Sequence, residues 1–279
     1  MDSSLPFIQN FNDGIELENL RKNCFYKAIR AEAEKTRDSY QFLRNRIVYD
    51  NDEDKLSLQD RVVVKFDLLF SNFFENVKER RYIRYKIENI MKFDRVTILM
   101  LTSEYRNYLN NCVILYERLA QLLTFIEYVY KTENISVDSE VKRLHEFFNP
   151  LVILQRNYNA HQSYFSTSDM IELQKFEGEI HDMLFQGQDA EEDIKKYLNQ
   201  YETIIKEKIS WIKMTENAFS EFLENFLNGV FSLIFSNNKL KIPINIPFEF
   251  KLSKEFKIKY RQNIDHEGIF NKANIRTQK

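Results

Sequence analysis

The sequence predicts an all-α fold, a bundle of long antiparallel helices with a short β-like C-terminal extension, and three observations carry that reading. Only 5 Gly and 4 Pro occur in 279 residues, so tight turns are few and long helices are favoured. Apolar residues recur at three- and four-residue spacing over very long stretches. Near residue 238 that period changes from 3.6 to 2.

Residues from about Ile15 to Val48 read as one amphipathic helix, and the acidic run Asp50-Asn51-Asp52-Glu53-Asp54 breaks it. Ser57-Leu58-Gln59-Asp60 resembles a capping box and opens a second helix from Val62 towards Met91, with Leu68, Leu69, Phe73 and Val77 as its apolar stripe. Asp94 is a candidate cap for a third helix running to about Lys131. Ile98, Leu101, Tyr105, Leu109, Val113, Tyr116, Leu119, Leu123, Ile126 and Tyr130 make that helix one wall of a bundle.

Asp138 starts a helix carrying His145, Phe147 and Phe148. Asn149-Pro150 marks a restart, because Pro suits a first helical position and disfavours a helical residue before it. Ser166-Thr167-Ser168-Asp169 caps the next helix, which ends at Gln186-Gly187-Gln188. Asp189-Ala190-Glu191-Glu192 opens the last long helix, with acidic residues at its positive end, and this helix runs towards Asn228-Gly229.

After Asn238, Leu240, Ile242, Ile244, Ile246, Phe248, Phe250 and Leu252 alternate with polar residues or Pro, followed by Phe256, Ile258 and Tyr260. This reads as an extended segment or a hairpin turning near Ser253-Lys254, confined to an edge by Pro243 and Pro247. The tail from Lys251 carries 8 Lys/Arg and 3 Asp/Glu, a charge of +5 against −7 for the remainder. It suits either an RNA-contacting arm or a solvated terminus. The chain divides into 1–56, an N-terminal helix and acidic linker; 57–237, the helical bundle; and 238–279, the basic tail.

Composition removes several function classes. With neither GxGxxG nor GxxxxGK[ST], the chain lacks a dinucleotide fingerprint and a P-loop, and no cofactor is expected. Cys24 and Cys112 are far apart, no HExxH occurs, and the four His lack zinc-ligand spacing, so no metal site is expected. The net charge of −2 gives no global attraction to nucleic acid or anionic membranes. The start, Met1-Asp2-Ser3-Ser4, has no basic region followed by an apolar core, and no apolar run approaches ~20 residues, so a cytoplasmic protein without membrane segments is expected.

The chemistry concentrates in Arg156-Asn157-Tyr158-Asn159-Ala160-His161. A cation, an amide and an imidazole lie between Leu151-Val152-Ile153-Leu154 and Tyr164-Phe165. Burying part of an Arg and a His costs free energy unless partners satisfy them, so the pair serves either a site or a polar network tying helices together. Asn157 and His161, spaced i,i+4, share a helix face where the amide can orient the ring.

This hexapeptide resembles the signature of the HEPN superfamily, an Arg followed by a polar residue and then a His four to six residues after the Arg. Arg261 and His266 repeat the spacing, but Gln262 follows that Arg and the pair lies in the polar tail. The resemblance implies an all-helical, metal-independent endoribonuclease cutting single-stranded RNA, a nuclease of antiviral defence or of a toxin–antitoxin pair with an antitoxin or regulatory partner. It also implies a homodimer in which two motifs share one site. Arg156, Asn157 and His161 are then catalytic: the Arg fork binds the scissile phosphate, and a His titrating near neutrality transfers protons. Tyr158 and Tyr164 are candidate base-stacking residues of the substrate site. The alternative is a non-catalytic helical module binding RNA or protein.

The run Arg80-Arg81-Tyr82-Ile83-Arg84-Tyr85-Lys86 suits a phosphate backbone or, more commonly, a solvated helix face. His145-Glu146 and His181-Asp182 are adjacent pairs whose members point in different directions on a helix.

Overall fold

The computed structural model describes residues 21–35, 56–92, 97–160, 168–237, 239–241, 243 and 245–246, without the side chains of 35, 152–160 and 168. Six helices appear among them: α1 (Cys24–Lys35), α2 (Leu58–Glu88), α3 (Ile98–Val129), α4 (Asp138–Ala160), α5 (Ser168–Phe185) and α6 (Glu191–Ile234). A two-stranded antiparallel hairpin follows, β1 (Phe235–Ser236) with β2 (Lys239–Leu240), in which Phe235 pairs with Leu240. The fold is all-α, as the spacing predicts.

Local chemistry sets the helix ends. The Ser57 hydroxyl accepts the Asp60 N–H at 3.1 Å and donates to the Asp60 carboxylate at 2.6 Å, satisfying one of the orphan donors of α2. Thr97 caps α3 by accepting from Met100 N–H, whereas Asp94 lies outside the described residues. Gly187 sits at φ +73°, and Gln188 N–H donates to Met183 carbonyl at 2.9 Å, closing α5 where Gln186-Gly187-Gln188 is expected to end it. The Asp189 carboxylate accepts from Glu191 N–H at the start of α6.

Three expectations need correction. The helix from Ile15 to Val48 is interrupted at Asn23, whose side-chain oxygen accepts from Phe25 and Tyr26 N–H and so caps α1; the rest of that span is described only to Lys35. Residues 138–160 form one helix with Pro150 inside it rather than restarting at Asn149-Pro150. Leu144 and Phe148 are fully buried on one side of the proline and Leu151 packs against the core on the other, so burial holds the helix through the lost hydrogen bond. Glu146, whose carbonyl would have accepted that bond, and Pro150 are both exposed, which lets water satisfy the free carbonyl. Finally, α6 passes Asn228-Gly229 and continues to Ile234, because Val230 and Ile234 extend its buried face.

The hairpin turns at Asn237, φ 51°, and the Tyr130 hydroxyl anchors it by donating to Lys241 carbonyl at 2.7 Å. The turn expected near Ser253-Lys254, and the tail beyond, lie outside the described residues.

Named contacts give the helix order. Phe66 meets Phe125, the Asn76 amide donates to Asn111, and Lys86 pairs with Glu104, so α2 and α3 are antiparallel. The Tyr201 hydroxyl donates to Thr97 carbonyl, and Tyr108 reaches Ile212 carbonyl, so α3 and α6 run parallel. Phe25 of α1 sits edge-on to Phe66 and Phe70 of α2 and to Phe231 and Phe235, inside the same core. A second aromatic cluster, Tyr116, Phe147, Phe148, Phe219 and Phe222, joins α3, α4 and α6.

Candidate functional site at the α4–α5 junction

The 44 residues of α6 make a rod about 66 Å long, and both α4 and α5 run antiparallel to it. The contacts fall in a single sequence. Glu140 of α4 packs against Gly229, Phe147 stacks on Phe222 at 4.1 Å, Phe148 meets Phe219, and then Asp169 of α5 faces Lys208 and Glu177 faces Tyr197. Helices α4 and α5 therefore lie nearly end to end along α6, and residues 161–167 connect them. Beyond Phe148, α4 continues through Pro150 to Ala160, an axial advance of about 18 Å.

Arg156, Asn157 and Tyr158 lie on the closing turns of α4, on its described backbone; their side chains lie outside the described residues. His161 and Tyr164 also lie outside them. What can be built from the described residues is a polar-aromatic cluster where α3, α5 and α6 meet.

The cluster consists of Lys208 and Trp211 of α6 with Tyr105 and Tyr108 of α3. Lys208 falls within the apolar stripe of α6, between Ile205 and Ile212, and is only 9% exposed. Its ammonium lies 5.4 Å from the centre of the Tyr105 ring, a cation–π arrangement. Burial lowers its pKa, opposed by the negative charges of Asp169 and Glu207. Trp211, just under one turn away, meets Tyr105 edge-on at 5.7 Å and Tyr108 at 6.2 Å, and is half-buried. Sequence reasoning passed over Lys208. The available signal was a cation at a position where the helical period demands an apolar side chain.

The basic run on α2 is neither a phosphate track nor a solvated face. Arg80 is fully buried, with its guanidinium 4.4 Å from the Phe219 ring centre, and Arg81 is buried as well. Arg84 is paired with Glu216, and Lys86 with Glu104 at 3.0 Å. Of this run only Tyr82 is exposed enough, at 47%, to present a large apolar surface. Guanidinium groups tolerate such burial because they are weakly hydrated and stack on rings.

Of the remaining histidines that are described, His145 lies against Tyr116 at 6.1 Å, and its neighbour Glu146 pairs instead with Lys142. His181 is exposed on α5. Among the described residues no group of three His, Cys, Asp or Glu side chains converges as a metal site, and no helix is long and apolar enough to cross a membrane. Comparison with protein-family models, curated proteins and solved structures returned no match.

Proposed function

We propose that this chain is a metal-independent endoribonuclease of HEPN type acting on single-stranded RNA, in defence or as the toxin of a toxin–antitoxin pair. The observation that carries the reading is the sequence Arg156-Asn157-x-x-Ala160-His161 in an all-α chain, although Arg156 and Asn157 lie on the closing turns of α4 and not near the start of a helix, where the resemblance sets the motif. In the reaction, the RNA 2′-oxygen attacks the adjacent phosphorus and the bond to the 5′-oxygen breaks. His161 takes the proton from the 2′-hydroxyl or delivers one to the departing oxygen, and Arg156 neutralises the charge growing on the phosphate. Asn157 orients the imidazole or contacts the same phosphate, and Tyr158 and Tyr164 stack on flanking bases. One His cannot hold both proton roles at once. A two-fold axis near residues 150–165 would supply the second copy from a partner protomer.

The test is incubation of purified protein with labelled single-stranded RNA in EDTA, comparing wild type with Arg156→Ala and His161→Ala. Loss of a general acid/base costs ~10²–10⁴-fold in rate, so both variants should be nearly silent while remaining folded. Equal cleavage by wild type and His161→Ala would overturn the mechanism. Binding of RNA or protein without turnover by wild type would identify a non-catalytic module instead. Unfolding of both variants would mark the hexapeptide as a structural network. Light scattering tests the dimer: a mass of only 33.8 kDa at micromolar concentration, unchanged by RNA, counts against it.

A further inference from the structure

We propose that the exposed tip of the α5–α6 hairpin is a docking site for the basic segment 251–261 of a second copy of this chain. Three observations lead to it, and none depends on the RNA-cleavage reading.

The first is the tip itself. Thr97, which caps α3, lies level with Tyr201, so α6 begins about 15 Å beyond the start of α3. The end of α5 accompanies that projecting stretch, since Glu177 faces Tyr197 and the two helices are antiparallel. Ile180, Met183, Ala190 and Tyr197 lie on the packed side of the hairpin. Leu184 is 51% exposed and Phe185 94%, while Ile194 and Leu198, on the first two turns of α6, are each more than a third exposed. Several large apolar side chains left in water at one end of a molecule mark a contact surface.

The second is charge. Between His181 and Leu198 stand Asp182, Asp189, Glu191, Glu192 and Asp193 against Lys195 and Lys196. Both lysines are already held, by Glu191 at 2.7 Å and Asp193 at 3.3 Å. Asp182, Asp189 and Glu192 have no cationic partner among the described residues. This surplus of negative charge repels a second tip and an anionic lipid surface, and attracts a basic, apolar segment. Residues 251–261 have that chemistry: Lys251, Lys254, Lys257, Lys259 and Arg261 against Glu255 alone, interleaved with Leu252, Phe256, Ile258 and Tyr260.

The third is reach. The tip lies at the start of α6, and the tail leaves from its end. Lys241 is bonded to the Ile234 carbonyl at 2.8 Å, and the fifteen residues from there to Phe256 span at most about 54 Å. Ile194 is forty residues before Ile234 on one helix, about 60 Å away. Phe256 therefore falls short of the tip of its own chain, and the docked segment comes from another copy.

The test is sedimentation velocity of the full-length protein across the micromolar range. Wild type should self-associate, and raising ionic strength from about 0.1 M to about 1 M, which shortens the Debye length from about 10 Å to about 3 Å, should weaken the association several-fold. Phe185→Asp, at a position too exposed to disturb folding, should weaken it by about ten-fold or more, and Phe256→Asp likewise. The decisive sample mixes the two variants. One keeps an intact tail and the other an intact tip, so the mixture should regain association that neither shows alone. Loss in both variants without recovery on mixing would indicate tip-to-tip or tail-to-tail contact and overturn the pairing. Association unchanged by Phe185→Asp would also overturn it, while leaving a two-fold axis near residues 150–165 standing. A wild type that stays monomeric throughout the range would remove both. Weaker RNA binding by Phe256→Asp with association unaltered would assign the tail to RNA and overturn the docking.

Discussion

Arg84 on α2 and Glu216 on α6 form an ion pair that ties two antiparallel helices 132 positions apart in the sequence. The Glu216 side chain is 9% exposed and that of Arg84 25%. Arg84 also lies 3.6 Å from Glu88, which in turn sits 3.5 Å from Lys213, so the pair anchors a short network across the helix interface. Breaking a fully buried pair typically costs 3–5 kcal/mol, and partial exposure of Arg84 reduces this, so Arg84→Met is expected to destabilise by about 2 kcal/mol. Urea unfolding measures it. A change within ~0.5 kcal/mol would show that the pair behaves as an ordinary surface contact.

Gly229 is the one described glycine whose missing side chain matters to its neighbours. A Cβ there would lie 2.7–2.8 Å from the Glu140 carboxyl group, which is buried at the start of α4. Alanine in a helix interior is favoured over glycine by about 1 kcal/mol. The expected outcome is therefore strong coupling. Gly229→Ala should gain that amount in a Glu140→Ala background and clearly less, or lose stability, in the wild type. A double-mutant cycle giving additive effects would show that the carboxylate swings aside freely.

Pro150 lies inside α4, where it removes one backbone hydrogen bond two turns before Arg156. Replacing it with alanine restores the bond and should raise thermal stability, by up to ~3 kcal/mol on the helix-propensity scale. If the proline also sets the direction of the turns that carry Arg156, RNA cleavage should fall even as stability rises. Raised stability with undiminished cleavage would limit the proline to a tolerated defect.

Stability should fall steeply in alkali. Burial raises the pKa of Tyr130, Tyr197 and Tyr201, with negative neighbours adding to the effect: Glu133 for Tyr130, Glu177 for Tyr197, and Tyr197 together with Glu177 for Tyr201. In the unfolded chain these phenols ionise near pH ~10. Their folded values lie above that, so the stabilisation they provide is complete below about pH 10 and is lost as pH rises beyond it. Urea midpoints at about pH 8 and about pH 11 measure the loss, and Tyr201→Phe should flatten the slope. Phenolate absorbance rising in one step at the free-tyrosine value, with the protein still folded, would contradict the burial.

Most of the helical skeleton was legible in the sequence because its information is local. Ser57 with Asp60, Gly187 after Phe185, and the apolar period of α3 each act within one turn of where they are read. Misreadings came where a distant residue decides. Pro150 reads as a boundary until Leu144 and Phe148 are seen to be buried around it, and the Arg80-to-Lys86 run reads as solvated until Phe219, Glu216 and Glu104 arrive from other helices. Lys208 is the same case in reverse: its stripe position was visible, but only the approach of α3 and α5 gives it a ring and a carboxylate. Of the candidate site, the sequence supplied Arg156, Asn157, Tyr158, His161 and Tyr164, and the structure places the backbone of the first three on the closing turns of α4.

The end-to-end seating of α4 and α5 along α6 has a mechanical consequence. Each of the two helices has its own anchors on the rod, Phe147 and Phe148 for one, Asp169 and Glu177 for the other. Peptide continuity between them is therefore not what keeps them in register. A protein nicked once between residues 161 and 167 keeps these described anchors, and two separately produced pieces divided there carry complementary halves of one interface. Re-association of such pieces would make α6 a splint, able to align whatever length of chain evolution inserts at the junction.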